Sequence, residues 1–83
     1  MKYRSTSDIF ASILESATEK GARLTKLMYL TFTSYIQIKH FLKLLIDHGL
    51  LEYDDNQRFY RTTKKGLQYL DLYRQMEELV RIQ

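Results

Sequence analysis

The chain has 83 residues, with 13 Lys or Arg against 10 Asp or Glu, which gives a formal net charge of +3. This length allows one domain with a single modest core, because domains usually have ~100–150 residues and short chains bury a smaller share of their surface. The sequence has no Cys, which excludes disulfides, thiolate catalysis and every sulfur-ligated metal site.

A first helix is predicted to start at residues 5–8, Ser-Thr-Ser-Asp. Ser5 is the predicted N-cap, and Asp8 lies three residues later, where its carboxylate can accept from the Ser5 amide in a capping box. Apolar residues then recur at helical spacing as far as Ala17. Gly21 is a natural helix terminator, so we expect the helix to end there.

Two further helices are predicted at close spacing. Thr25 is the expected N-cap of a short second helix. The apolar residues of that helix are Leu27, Met28 and Phe32. Ser34 is the expected N-cap of a third helix, which extends from about Tyr35 to His48. A gap of two or three residues between such helices is typical of a helix-turn-helix motif.

After the third helix the pattern changes to two short, aromatic-rich stretches, residues 50–53 and 58–62. The residues between them, Asp-Asp-Asn-Gln, are typical of a polar turn, so the sequence predicts a β-hairpin. A short stretch at residues 22–24 could add a third strand to this hairpin.

The last predicted helix runs almost to the end of the sequence. Its N-cap is Thr62 or Thr63, and Gly66, a poor helix former near its start, indicates close packing against a neighbour. We therefore expect a domain of residues 1–66 and a C-terminal helix of residues 67–83 that continues from it.

Three helices, a hairpin and a fourth helix predict a mainly α (α+β) fold, a winged helix-turn-helix domain with a long C-terminal helix. Four segments also resemble a small archaeal winged-helix family: Lys26–Tyr29, Ser34–Lys39, Gly49–Tyr53 and Thr62–Leu67. That family includes DNA-binding regulators and chromatin-associated proteins that dimerise through a C-terminal helix. The resemblance covers roughly residues 1–75. It implies a cytoplasmic, nucleoid-associated homodimer that binds double-stranded DNA without a cofactor.

Two segments of the chain are basic and contain no acid. Residues 20–46 carry a charge of +5, and residues 57–70 carry a charge of +4. If the fold brings both segments onto one surface, that surface would bind an anion such as DNA. The candidate DNA contacts are Lys26, Thr33, Ser34, Tyr35, Gln37, Lys39, His40, Lys43, Arg58, Arg61, Lys64 and Lys65.

Helical spacing divides the third helix into two faces. The side chains predicted to face the core are those of Ile38, Phe41, Leu42 and Leu45. The side chains predicted on the opposite face are those of Ile36, His40, Lys43 and Asp47, with Gln37, Lys39 and Leu44 at its flanks. In a winged helix this outer face belongs to the recognition helix, whose N-terminal half enters the major groove.

Each polar side chain of that face suits a particular contact with DNA. Gln37 could pair with adenine N6 and N7, and His40 could donate to a guanine acceptor or to a phosphate. Lys39 and Lys43 are better suited to phosphates, because an ammonium group is a point charge without directional preference.

Other features of this helix leave alternatives open. The amide groups of Thr33 and Ser34 at its start would favour a phosphate. Ile36 and Leu44 are unusual on a face that reads DNA, so either they touch thymine methyl groups or that face meets protein. A winged-helix protein–protein interaction module is therefore the alternative function. A surface helix that binds nothing is also compatible with these side chains.

The hairpin adds Arg58 and Arg61 near its turn. A wing of this kind usually follows the minor groove or the phosphate backbone, and Arg is favoured where the groove narrows. The alternative is cross-strand pairing of these arginines with Glu52 or Asp54, which would contribute little at a surface.

The last helix carries more apolar surface than its own domain can cover. Four residues have the 3-4-3 spacing of a coiled-coil seam, namely Tyr69, Leu72, Met76 and Leu79. Three more widen the apolar surface, namely Tyr73, Val80 and Ile82. The predicted dimerisation residues are Tyr69, Leu72, Tyr73, Met76, Leu79 and Val80. The alternative is a helix that folds back on its own core and uses half of them. A two-fold homodimer is the commonest way to bury such a surface.

No catalytic or metal-binding arrangement is evident in the sequence. His40 and His48 lie eight residues apart, and no carboxylate stands at metal-ligand spacing from them. The sequence has no Gly-rich phosphate loop and no Ser-His-Asp arrangement. No apolar run reaches the ~18–20 residues of a membrane span. We therefore expect a non-enzymatic protein without metal, cofactor or membrane partner.

Overall fold

The computed structural model of the chain describes residues 5–81. In chain order these form helices α1 (Thr6–Ser16), α2 (Leu24–Thr31) and α3 (Tyr35–Asp47), strands β1 (Leu51–Asp54) and β2 (Phe59–Thr62), and helix α4 (Lys64–Val80). This order confirms the predicted mainly α, winged helix-turn-helix fold. The outer ends of the predicted regions 1–66 and 67–83, namely residues 1–4 and 82–83, lie outside the described residues.

Three of the four helices begin at a side-chain cap that the sequence predicts. At α1 the Ser5 hydroxyl accepts from the Asp8 amide at 3.2 Å, and the Asp8 carboxylate accepts from the Ser5 amide at 3.1 Å. Ser34 caps α3 in the same manner. Thr63, rather than its neighbour, caps α4 by accepting from the Gly66 amide at 3.0 Å. Each cap contributes about 1 kcal/mol by giving a partner to an amide that the helix leaves unpaired.

Two predicted helix boundaries are wrong. The N-cap of α2 is Arg23, which makes no side-chain capping bond, and Thr25 lies inside the helix. Helix α1 ends at its C-cap Ala17, well before Gly21. Gly21 instead has φ +87° and lies against the hairpin, where an added Cβ would be 2.7 Å from the Tyr60 carbonyl oxygen. It permits a close approach of the chain to the hairpin, which only Gly allows without strain.

Strands β1 and β2 pair antiparallel, with Tyr53 opposite Tyr60. Ala22 joins β2 at Tyr60 through two backbone hydrogen bonds of 2.8 Å. The third strand predicted at residues 22–24 is therefore a single bridge, because α2 already begins at the last of these residues.

The core takes side chains from helices and hairpin alike. Its largest fully buried residues are Ile13, Leu14, Leu27, Ile38, Leu42, Leu45 and Leu51. The start of α4 adds Leu70, and a Cβ at Gly66 would lie 2.2 Å from the Leu50 carbonyl oxygen. The close packing predicted at Gly66 is thereby confirmed. Within residues 5–81, every helix is too short or too polar to serve as a membrane span.

Candidate nucleic-acid interface

Helix α3 separates an apolar face from a polar one, as its spacing predicts. The side chains that face the core, none more than 2% exposed, are Ile38, Leu42 and Leu45. The exposed side chains of the opposite face are Ile36, His40, Lys43 and Asp47. Leu44 and Phe41 are half-buried, so the prediction that Leu44 flanks the exposed face holds only in part. The apolar character of the outer face therefore comes from Ile36.

A capping box holds the start of α3. The Ser34 hydroxyl accepts from the Gln37 amide at 3.1 Å, and Gln37 Oε1 accepts from the Ser34 amide at 3.0 Å. The Thr33 amide donates to the Met28 carbonyl at 3.3 Å, and the Thr33 hydroxyl lies 2.9 Å from that of Thr31. The prediction that the amides of Thr33 and Ser34 are available to a phosphate is therefore wrong, because both already have acceptors within the chain.

Two lysines project from the outer part of α3. Lys43 Nζ lies 3.1 Å from Asp47 Oδ2, and both side chains are more than half exposed. A surface pair of this kind contributes at most ~1 kcal/mol, so a phosphate can replace Asp47 as the partner of Lys43. Lys39 Nζ lies 6.0 Å from the ring centroid of Tyr35, a residue that is itself exposed. Both ammonium groups are accessible to a ligand.

An open groove lies between α3 and the hairpin. Tyr60 lines it from β2, and the α3 residues that line it are Lys39, His40, Leu42, Lys43, Ile46 and Asp47. The Tyr60 ring packs against that of Tyr53, with centroids 4.7 Å apart. The fold therefore places two cations of the first basic segment, Lys39 and Lys43, beside the hairpin, which carries Arg58 and Arg61 of the second segment.

The side chain of Asp54 stabilises the hairpin turn, and Arg58 is exposed in that turn. Asp54 Oδ1 accepts from the amides of Asn56 at 2.9 Å and Gln57 at 3.2 Å. Arg58 closes the turn with φ +59°, and its amide donates to the Asp54 carbonyl at 2.7 Å. Within residues 5–81 the Arg58 guanidinium forms no ion pair, so the alternative of pairing with Asp54 is not realised. Its charge is available to a ligand.

Arg61 lies on the face of the hairpin opposite to the face that carries Tyr60. It stands opposite Glu52 in the strand register, and its guanidinium carbon lies 4.8 Å from the Phe59 ring centroid. In the part of the chain that the structure describes, no ion pair joins Arg61 to Glu52. Because side chains alternate along a strand, Arg61 points away from the face that Tyr60 presents to α3. The fold thus separates Arg61 from the cations of α3.

The remaining predicted lysines do not line the groove. Lys65 Nζ donates to the His48 carbonyl at 2.8 Å, at the C-terminus of α3, where the helix dipole favours a cation. Lys26 on α2 and Lys64 at the start of α4 are exposed. Lys65 therefore has a structural contact, whereas the other two add positive charge to the surface.

The comparison with known families classifies this arrangement of helices and hairpin. A family model described as winged helix-turn-helix matches residues 3–81. The chain belongs to this family. No curated protein matches the chain in a sequence search. In winged helix-turn-helix proteins, which are typically non-enzymatic DNA-binding proteins, α3 corresponds to the recognition helix and the β1–β2 hairpin to the wing.

The turn of the winged helix-turn-helix motif exposes two aromatic side chains that are not among the predicted DNA contacts. Phe32, predicted as an apolar residue of α2, is instead its C-cap, with φ +55° and 86% of its side chain exposed. Tyr29, in the last turn of α2, is also exposed. A left-handed residue ends the helix and turns its side chain away from the core, and Phe seldom adopts this conformation. No local signal in the sequence therefore marks the position.

The predicted dimerisation residues fall into two groups. Tyr69 and Tyr73 are half-buried and pack on the core of their own chain. The others form an exposed apolar stripe on the outer half of α4, here called the α4 stripe: Leu72, Met76, Leu79 and Val80. Helix α4 therefore packs two of the predicted dimerisation residues, Tyr69 and Tyr73, against the core of its own chain. It leaves the α4 stripe uncovered within this chain.

A groove beside the α4 stripe separates α4 from the start of α1. Tyr73 and Met76 line it from α4, and Asp8 lines it from α1. The Tyr73 hydroxyl donates to the Asp8 carboxylate, and this hydrogen bond, with partial burial, raises the pKa of Tyr73 to about 12. Arg74 forms a second link to α1, 3.2 Å from Glu15. These two links fix the orientation of α4 against α1.

Proposed function

We propose that the protein binds double-stranded DNA as a homodimer and acts as a small transcription regulator or chromatin-associated factor of the cytoplasmic nucleoid. Membership of the winged helix-turn-helix family supports DNA as the partner. The observation that carries the proposal is the groove between α3 and the wing, where Lys39, His40 and Lys43 are exposed side by side. The resemblance of the sequence to archaeal winged-helix regulators supports the regulatory role.

Binding in this proposal is mainly electrostatic. The first half of α3 enters the major groove, and Lys39 and Lys43 contact the phosphates that border it. Gln37 donates to a base edge through Nε2. Its Oε1 accepts from the Ser34 amide, so bidentate pairing with adenine would break the capping box at a cost of about 1 kcal/mol. Gln37 therefore confers weak sequence selectivity.

The wing contributes through its turn in this proposal. Arg58 contacts a phosphate or the narrow minor groove next to the site that α3 occupies. Lys26 and Lys64 add longer-range attraction, since both are exposed cations within the two basic segments.

The α4 stripe supports the homodimer. Burying one large apolar side chain contributes about 1.5–3 kcal/mol, and the stripe holds four that their own chain leaves exposed. A two-fold axis would bring each stripe against the other chain, with the groove beside Tyr73 available to side chains of the second copy. Residues 1–66 then form the DNA-binding unit and residues 67–83 the dimerisation helix. The two recognition helices would contact major-groove sites about 10 bp apart, or a multiple of that spacing.

The proposal is tested by measuring DNA affinity and solution mass on the same protein. Fluorescence anisotropy should show binding of a random-sequence duplex at about 50 mM salt, and light scattering should give twice the chain mass. The double substitution Lys39→Ala with Lys43→Ala should weaken binding to every duplex about tenfold. Absence of binding by the wild type would remove the proposal, and a monomeric mass would remove its dimeric part.

A matched control distinguishes the contribution of the groove to DNA affinity from the contribution of the total charge. Lys20→Ala with Arg81→Ala removes the same charge from two exposed residues outside the groove. This variant should bind within about twofold of the wild type, because the lost charges lie away from the phosphates. An equal loss in both double variants would show that net charge, rather than this groove, determines affinity.

A winged-helix protein-interaction module is the second candidate function. The exposure of Tyr29 and Phe32 in the helix-turn-helix turn favours it, because large aromatic side chains are enriched in protein interfaces. This candidate predicts that Tyr29→Ser with Phe32→Ser abolishes binding to a protein partner and leaves DNA affinity unchanged.

A further inference from the structure

Ile36 is a large apolar side chain on the part of α3 that carries the cations. It is the second residue of α3, and 80% of its surface is exposed. At 100° per residue, His40 and Lys43 lie within about 40° of it around the helix axis, and Lys39 lies about 60° away. The side chain therefore stands uncovered among basic neighbours.

The charges around Ile36 determine which kind of partner can cover it. An apolar protein surface would remove water from Lys39 and His40 as well. Within residues 5–81 the Lys39 ammonium group forms no ion pair, so it would be buried without an acceptor, which is costly. The DNA major groove instead presents the C5-methyl groups of thymine between two rows of phosphates. DNA therefore provides an apolar contact for the isoleucine and acceptors for its basic neighbours at once.

We propose that Ile36 contacts thymine C5-methyl groups in the major groove and gives the protein a preference for duplexes rich in A·T pairs. This inference rests on the proposed function, in which α3 occupies that groove. The first residues of a recognition helix are those that reach base edges, and Ile36 is the second residue of α3. Its β-branched side chain has few rotamers, so ordering it against a methyl group costs little conformational entropy.

The direct test compares two duplexes of one A·T-rich sequence, one with thymine and one with deoxyuridine at every thymine position. Deoxyuridine pairs in the same way but lacks the C5-methyl group. The wild type should bind the thymine duplex about fourfold more tightly for each methyl group in contact, which corresponds to burying one methylene-sized group. Ile36→Ala should bind both duplexes equally, with about the affinity of the wild type for the deoxyuridine duplex.

Leu67→Ala provides the control, because it removes a large, partly exposed apolar side chain of α4 that lies outside both the groove and the α4 stripe. This variant should keep the full preference for thymine. Ile36→Ala should fold, since Ile36 is exposed and Ala is the best helix former, and circular dichroism checks this directly.

The possible outcomes separate this inference from the proposed function. Equal binding of the wild type to both duplexes would overturn the inference and leave the proposed function in place. A preference that persists in Ile36→Ala would also overturn it, because the preference would then arise elsewhere. If the wild type binds neither duplex, the proposed function fails and the inference fails with it.

Discussion

Helices α3 and α4 both expose apolar side chains, and the charges beside those side chains differ. On α3, Ile36 stands among cations, with Lys39 and Lys43 on the same exposed part of the helix. On α4, helical spacing places Gln75 and Glu77 at the edges of the stripe. An apolar side chain among cations suits a polyanion that also presents methyl groups, whereas an extended apolar stripe with few charges at its rim suits another protein surface. We infer that each of these apolar surfaces meets a partner, and that the neighbouring charges indicate the chemistry of that partner.

The two surfaces also differ in extent. On the outer face of α3, Ile36 is 80% exposed and Ile46, at the edge of that face, is 38% exposed, so apolar burial can contribute less to the affinity for DNA than the cations do. The α4 stripe has four and borders a groove, so apolar burial can dominate there. Binding at α3 should therefore weaken steeply with salt, while association through α4 should change little with salt.

The largest effect should follow a charge placed on the α4 stripe. Met76→Glu should dissociate the dimer, because a carboxylate would have to be buried without a partner. DNA affinity should fall about a hundredfold, since the second domain would no longer bind as part of the same molecule. Light scattering and anisotropy measure the two effects. The control Thr25→Glu adds the same charge to an exposed residue of α2, away from the α4 stripe, and should stay dimeric. A dimer that survives Met76→Glu would contradict this assignment of the stripe.

A smaller effect should distinguish the two arginines of the wing. Arg58→Asn removes a charge from the turn while keeping a residue that tolerates positive φ, so DNA affinity should fall about threefold to fivefold without loss of stability. Arg61→Gln should leave affinity unchanged, because Arg61 lies on the face away from α3. Fluorescence anisotropy with one random-sequence duplex measures the affinity of both variants. A larger loss of affinity in Arg61→Gln than in Arg58→Asn would show that the wing meets DNA through the face that carries Arg61.

The smallest effect should come from the edge of the α4 groove. Tyr73→Phe removes the hydrogen bond to Asp8 and should lower the free energy of unfolding by about 1 kcal/mol in urea titrations. The folded-state pKa of Tyr73 is raised from 10.0 to about 12, so the stabilisation is complete below pH 10 and is lost as pH rises toward 12. The difference between wild type and variant should therefore shrink between pH 10 and 12. A difference that stays constant over this range would show that the hydroxyl is not bonded to the carboxylate.

The features predicted correctly from the sequence are mostly local. The caps at Ser5 and Ser34 involve partners three residues away, and helical spacing alone places Ile36 and Lys43 on the exposed side of α3. A pattern in sequence identifies such contacts because both partners lie within one turn.

The features that the sequence does not predict depend on distant parts of the chain. Thr25 fails as a cap because α2 begins directly after the bridge between Ala22 and Tyr60, a pairing that the local sequence does not encode. Phe32 counts as apolar in any pattern, yet its left-handed backbone directs it to solvent. Within the candidate site, the contact of Lys65 with the end of α3 requires two helices to meet in the folded chain.

The claim that α3 and the wing bind DNA through charge is tested most directly by the salt dependence of DNA affinity. The logarithm of affinity for a random duplex should fall linearly with the logarithm of salt concentration, with a slope of about −0.9 for each phosphate contact. Lys39→Ala with Lys43→Ala should reduce the magnitude of that slope by about 1.8 for each bound chain. A wild-type slope near zero, or a slope that the double variant leaves unchanged, would contradict the claim.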